Sequence, residues 1–246
     1  MNLPVAGRDD KAGPVKTYGQ YCPIARASEL LAERWTPIII RNLLAGCRTF
    51  GELLEGAPGI SKALLAQRLE LLERSGVLTK AAANQGGSRF AYQLTEMGRE
   101  LKTVTDAMGH WGARWLEVEP RHLDATYVLW ATCRLVDVDK LPNKGIIARI
   151  ELADRPKGRL WMMLRRPHAE ICSSYPGRDE DLVVRTDSAT LAHWNLRHLT
   201  TSDAMSSGRL DIQGPGRTVK AFLDCLRPSP FAATQPAVVP ASPRPA

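Results

Sequence analysis

Apolar positions recur at helical spacing through the first half of the chain and at strand spacing through much of the second. Pro23 opens a segment in which Ile24, Ala27, Leu30, Leu31 and Trp35 repeat every three or four residues. This predicts an amphipathic helix whose first position holds proline, where the missing N–H costs nothing. A second helix is expected from Thr36-Pro37 through Ile38, Ile39, Ile40, Leu43 and Leu44, stopping at Gly46. Thr49 and Glu52 are spaced as a capping box, so a short helix follows and ends near Gly56. Ala57-Pro58-Gly59 supplies a turn, and Ser61 can cap a further helix that presents Leu65, Leu69 and Leu72 on one side and closes at Gly76. Residues 77–82 and 89–94 then read as two strands joined by a flexible tip at 83–88. Thr95 opens a long helix in which Leu101, Val104, Met108, Trp111 and Trp115 follow 3-4-3-4 spacing. Such a stripe suits a helix that packs on a partner or on its own domain.

The signal changes at Glu119-Pro120. A helix is expected over 125–136, strands over 145–152, 160–164, 170–174, 182–185 and 209–213, and helices over 189–196 and 216–226. That mixture predicts an α+β domain. Residues 1–16 lack periodicity and read as a disordered arm. From Arg227 onward, Pro228, Pro230, Pro236, Pro240, Pro243 and Pro245 lie among Ala and Ser, which reads as a disordered tail. The expected organisation is therefore 1–16, 17–119, 120–226 and 227–246, with an overall α+β class.

A length of 246 residues allows two compact domains. No apolar run is long enough to span a bilayer, and the first sixteen residues lack the apolar core of a signal peptide, so the expected location is cytoplasmic with no membrane partner. The five cysteines, Cys22, Cys47, Cys133, Cys172 and Cys225, are dispersed without metal-ligand spacing, and no metal or cofactor is expected. His110, His122, His168, His193 and His198 show no spacing to a nucleophile or paired carboxylates, and Gly214-Pro215-Gly216 lacks the Lys and length of a phosphate loop. Enzymatic catalysis is not expected.

The net charge of +7 favours polyanions without establishing them. Residues 1–120 carry 15 basic and 13 acidic side chains, and residues 121–246 carry 18 and 13, so local patterning must carry the argument. It does so between Lys62 and Tyr92, where Lys62, Arg68, Arg74, Lys80 and Arg89 face only Glu70 and Glu73. Helix, turn, helix and basic hairpin in that order are the parts of a winged helix-turn-helix. Its recognition helix enters the major groove of double-stranded DNA. Ser61, Lys62, Ala63, Ala66 and Gln67 are the expected surface, with Lys62 suited to guanine and Gln67 to adenine. Arg68, Arg74 and Lys80 are expected at phosphates, and Arg89 in the minor groove or at phosphate. A lone Lys or Gln on a helix is ordinarily solvated surface; the ordered assembly is what reverses that reading.

These residues resemble a known family. Cys22-Pro23, Glu33-Arg34-Trp35-Thr36, Gly46 to Leu53, Gly59-Ile60-Ser61, Leu65, Leu69, Leu72-Glu73, Gly76-Val77-Leu78, Arg89 to Thr95 and Gly98 are similar to the HxlR-type winged-helix regulators. The resemblance covers roughly residues 18–115. It implies a homodimeric bacterial transcription regulator whose terminal helices form the dimer interface. Two positions depart from it: Ala63 stands where the family often has Arg, and Ser88 where it has Pro before the wing Arg. Some relatives with a Cys at the place of Cys22 sense oxidants, and a helix start favours a thiolate there, so a redox role for Cys22 is a second reading.

Residues 125–226 are more weakly similar to sterol-carrier-protein-like domains, through Trp161, Asp181 to Val184, Leu191, Trp194, Ala204, Gly208 and Leu210 to Gly214. That resemblance implies a curved sheet with helices around an apolar cavity able to hold a small apolar ligand. Trp130, Trp161, Met162, Met163 and Trp194 are candidate lining residues, although Trp and Met in such layers are more often core. The competing readings are a lipid-type carrier or catalytic domain with a DNA-binding fold attached, and a winged helix that binds only proteins.

Overall fold

The computed structural model describes residues 17–82, 90–155 and 159–237. Backbone contacts divide the chain into two compact units, with the division between Thr105 and Asp106 inside the long helix rather than after it.

The first unit holds α1 (Pro23–Leu31), α2 (Thr36–Leu44), α3 (Phe50–Glu55), α4 (Lys62–Arg74), β1 (Leu78–Ala82), β2 (Phe90–Leu94) and the start of α5 (Glu96–Trp115). Cys22 stands at the N-cap position of α1 without a side-chain capping bond, and Pro23 takes its first turn. The helix stops at Leu31, short of the expected Trp35, and Trp35 stands in a left-handed conformation (φ 79°) at the N-cap of α2. Ile39, Ile40 and Leu43 of α2, Leu53 of α3 and Leu65, Leu69 and Leu72 of α4 are buried together with Val77, Leu78, Tyr92 and Leu94. Strands β1 and β2 pair antiparallel from Leu78↔Leu94 to Ala82↔Phe90, and Tyr92 N–H donates to the Arg48 carbonyl at 2.7 Å, adding a short segment to the hairpin edge. Thr95 Oγ1 accepts from Gly98 N–H at 3.1 Å and starts α5. Gly98 has no room for a side chain, because a Cβ there would overlap the Val77 carbonyl.

The second unit contains α6 (Ala125–Leu135), β3 (Ile146–Leu152), β4 (Arg159–Leu164), β5 (Ala169–Cys172), β6 (Leu182–Thr186), α7 (Ser188–Asn195), α8 (Thr201–Ser206), β7 (Asp211–Gln213) and α9 (Gly216–Cys225). Its five strands lie in the order β5-β4-β3-β6-β7, with β3 and β6 parallel and the other pairs antiparallel. One side of the sheet carries Ile146, Ala148, Ile150, Leu152, Met162, Leu164, Leu182 and Val184 against Leu129, Cys133, Leu191 and Phe222 of the helices. The alternate positions carry Arg149, Glu151 and Arg185, tied by Arg149–Glu180 (2.8 Å), Arg185–Glu151 (2.7 Å) and Arg185–Asp211 (3.2 Å). Helix α8 is not foreseen from periodicity, since one buried position, Ala204, leaves no repeat to detect. Its cap is visible in sequence: Thr200 Oγ1 accepts from Asp203 N–H at 3.1 Å.

The expected disordered tail is a correction over residues 227–237. Ser229 N–H donates to the Asn195 carbonyl at 3.0 Å, and Ala237 N–H to the Arg114 carbonyl at 2.7 Å. The Phe231 ring lies over Gly109, where a Cβ would overlap it, and stands edge-on to His110 at 5.3 Å. His110 Nδ1 also meets Thr234 Oγ1 at 2.7 Å. Proline-rich composition hid this segment because one aromatic anchor and a few backbone bonds, rather than a periodic face, hold it down. The expected arm at 1–16 and the tail beyond Ala237 lie outside the described residues.

Candidate nucleic-acid interface

The helix pair at the site is built by its caps. Thr49 Oγ1 accepts from Glu52 N–H at 3.2 Å while Thr49 N–H donates to Glu52 Oε2 at 2.9 Å, so the expected capping box starts α3. The chain then turns through Gly59 at φ 92°, a conformation that favours glycine. Ser61 Oγ accepts from Leu64 N–H at 3.2 Å and starts α4. Arg41 Nη2 donates to the Gly56 carbonyl at 2.9 Å, fixing the end of α3 against α2.

With Leu65, Leu69 and Leu72 buried, α4 turns Ser61, Lys62, Ala63, Ala66 and Gln67 outward as one exposed surface around its first two turns. Ala63 and Ala66 keep that surface low between the longer Lys62 and Gln67, which lets the backbone approach a groove closely. Glu70 and Glu73 are exposed further along, so the favourable end for an anionic duplex is the N-terminal one. Arg74 is exposed at the last turn, and Lys80 is exposed on β1 with its Nζ 4.0 Å from the centre of the Phe90 ring.

Arg68 requires a correction. Its side chain is only 13% exposed, with the guanidinium bonded through Nη2 to Glu33 and through Nε to the Arg34 carbonyl at 3.2 Å. It clamps α4 to the α1–α2 junction instead of reaching for phosphate. No local spacing signals a partner so far back in sequence. Arg89 and the tip at 83–88 lie outside the described residues. Arg34, exposed beside the Arg68 clamp with its guanidinium 5.3 Å from the Trp35 ring centre, is a basic group that pattern reading passes over because it sits between helices.

The second unit contains a cavity of about 90 Å³ between the sheet and its helices, lined by Leu129, Ile150, Met162, Val184, Leu191, Phe222 and neighbouring residues. Of the expected lining residues, Met162 and Trp194 lie on it. Trp161 and Met163 take the opposite side of β4, and Trp161 meets Tyr175 edge-on at 6.4 Å. Trp130 stacks on Tyr127 at 5.9 Å, away from the cavity wall. The sequence held the deciding signal: Arg149 and Glu151 mark the odd positions of β3 as the polar side, and the register carries that parity to Trp161 and Met163.

Burial pushes the Cys133 thiol up to about 12 and the Cys225 thiol up to about 11. Cys22, at the start of α1, is partly exposed. No described helix is long and apolar enough to cross a membrane.

Comparison with known proteins bears on the first unit. The family model for HxlR-like helix-turn-helix proteins matches residues 30–120. An HTH-type transcriptional regulator of Synechocystis sp. is 37% identical over 108 residues, which is 44% of this chain and 80% of that protein. The HTH-type transcriptional regulator YodB of Bacillus subtilis is 34% identical over 39% of this chain and 87% of its own length. The crystal structure of diamide-treated YodB aligns with 37% of this chain and 91% of its own, at a TM-score of 0.32. A likeness to the inverting sec-alkylsulfatase Pisa1 from Pseudomonas sp. runs over 71% of this chain and 23% of that enzyme. Its 18% identity and TM-score of 0.37 are too low to carry fold or activity across.

Proposed function

This chain belongs to the HxlR-like helix-turn-helix family of transcriptional regulators, and from that premise we propose that it binds a near-palindromic operator as a homodimer. The observation that carries the proposal is the outward surface of α4: Lys62 and Gln67 flank two alanines at the N-terminal end of a helix whose other side is fully seated in the core. Lys62 donates to guanine and Gln67 makes a paired contact with adenine, while Arg74 and Lys80 meet phosphate. In this assignment Arg68 holds the recognition helix at its angle.

Support for the homodimer comes from α5. Val104, Met108, Trp111 and Trp115 are exposed at 4-3-4 spacing, with Trp111 58% exposed. Such a stripe on a soluble chain marks a contact surface. For the second unit we favour a sterol-carrier-protein-like ligand-binding domain. Its mixed sheet, covered on one side by helices around a small apolar cavity, is what such a reading requires. Occupancy of that cavity by a small apolar ligand would modulate DNA binding.

The test is selection of binding sites from random duplex, followed by substitution. Lys62→Ala with Gln67→Ala is expected to lower the preference for the selected operator over random duplex by about 10-fold or more, each lost base contact being worth ~1–3 kcal/mol. Arg89→Ala is expected to weaken both equally. An unchanged operator-to-random ratio in the double variant would remove the recognition-helix assignment.

A second reading is favoured by the placement of Cys22 at the start of α1 with part of its side chain exposed: a thiol-based redox response. Diamide should then release the operator from the parent protein and leave the Cys22→Ser complex intact. Equal release from both would exclude it.

A further inference from the structure

The second unit's cavity carries an asymmetry that an apolar ligand alone would not need. Its floor is carbon, from Leu129, Ile150, Met162, Val184, Leu191 and Phe222, and its rim holds two arginines, Arg197 and Arg227, with no Asp or Glu among the lining residues. The rim arginines are not equivalent. Arg227 Nη2 is bonded to Asp137 at 2.9 Å, and that hydrogen bond holds the Asp137 carboxyl below its ordinary range. Arg197 has no carboxylate at ion-pair distance among the described residues.

The backbone at Arg197 is a second, independent observation. The residue stands just past the end of α7, where its N–H donates to the Trp194 carbonyl at 3.1 Å, and its φ is +59°. Glycine or asparagine is the ordinary occupant of that left-handed position, because a Cβ there is strained. An arginine in strained backbone at the mouth of an apolar cavity points to a role for its side chain.

The other polar side chains on the wall are engaged with one another. Trp194 Nε1 donates to Thr201 Oγ1 at 2.9 Å, and Asn195 Nδ2 to Thr132 Oγ1 at 3.0 Å. The C-terminal end of α7 disfavours an anion, but the full guanidinium charge of Arg197 outweighs that partial charge, Arg227 being already balanced by Asp137. A volume of about 90 Å³ is several times that of one water-sized probe and suits a ring or short branched chain, not a long acyl tail.

We infer that this cavity takes a small apolar carboxylic acid, its ring or branched chain on the carbon floor and its carboxylate on the Arg197 guanidinium. A guanidinium and a carboxylate can form two parallel charge-assisted hydrogen bonds. The inference rests on the reading of this unit as a ligand-binding domain and names the class of ligand.

Calorimetry on the full-length chain tests it, with benzoate, cyclohexanecarboxylate and 3-phenylpropanoate each set against its primary amide. At least one acid is expected to bind 10-fold or more tightly than its amide. Arg197→Gly should abolish that preference while leaving the amide's affinity and the melting temperature unreduced, since glycine relieves the left-handed backbone. Leu223→Trp, which fills the cavity from its half-buried wall, should weaken acid and amide together. Equal binding of acids and amides would overturn the acid inference and keep the ligand-binding reading; no binding by any compound would overturn both. An acid preference that survives Arg197→Gly, or acid binding undiminished by Leu223→Trp, would place the acid elsewhere and overturn the inference.

Discussion

Arginines in one basic stretch can do opposite work, and Arg68 and Arg74 illustrate it six residues apart. Arg68 is sequestered against Glu33 and the Arg34 carbonyl, whereas Arg74 is exposed. Arg68→Ala is therefore expected to cost about 1.5–3 kcal/mol of stability, the range for hydrogen bonds to charged groups. Thermal unfolding would show this as a lowered melting temperature, with little change in the salt dependence of DNA binding. Arg74→Ala and Lys80→Ala should do the reverse: each lowers the slope of log affinity against log salt by about one, with stability unchanged. Equal salt slopes for the parent and both exposed-site variants would move the phosphate contacts elsewhere. The cysteines separate in the same way. The thiolate is the reactive form, so burial that lifts Cys133 to about 12 and Cys225 to about 11 should leave both unmodified by iodoacetamide at pH 8. Cys22 and Cys172, each partly exposed, should label first. Mass spectrometry after limited labelling checks the order, and early modification of Cys133 would contradict its burial. What the sequence hid at this scale was partnership: exposure of Lys62 and Gln67 follows from helical phase, but a clamp between Glu33 and Arg68 depends on how three helices meet.

Elements announced by local chemistry were legible. The Thr49/Glu52 box, the Ser61 cap and the Pro23 start all place helices where they form, and β3, β4 and β6 follow their apolar runs. Elements held by few contacts were not. Helix α8 is six residues long, and the segment through Phe231 is irregular backbone that docks on α5. Two glycines in α5 turn that docking into a controlled experiment. Gly112 has no heavy atom within 4 Å of a Cβ position, so Gly112→Ala should gain up to ~1 kcal/mol from helix propensity. Gly109→Ala receives the same propensity but drives a methyl group into the Phe231 ring. It is expected to release residues 229–237, read as accelerated amide hydrogen exchange at Ser229 and Ala237. Unchanged protection there would show that the segment does not depend on this contact.

For the whole molecule, the alternation of apolar and polar positions located both units, yet it could not locate the division between them. That division falls inside α5 because Phe231, Thr234 and Ala237, distant in sequence, attach to the helix's second half. The stripe of α5 stays largely exposed in the described chain, and its proposed role is pairing of two copies. Trp111→Glu places a charge in the centre of that stripe and is expected to convert a dimer to a monomer by sedimentation. Loss of the second half-site contact would weaken operator binding by at least 10-fold. A Trp111→Glu protein that remains dimeric would remove α5 from the interface.

The central claim is that the outward side of α4 enters a DNA duplex, and fluorescence anisotropy of a labelled double-stranded oligonucleotide in low-salt buffer addresses it most directly. The account predicts saturable binding that weakens steeply as salt is added, with Lys62→Ala reducing affinity in a protein that melts as the parent does. Absence of affinity for any duplex at low ionic strength, or binding indifferent to Lys62 and Gln67 substitution, would contradict it.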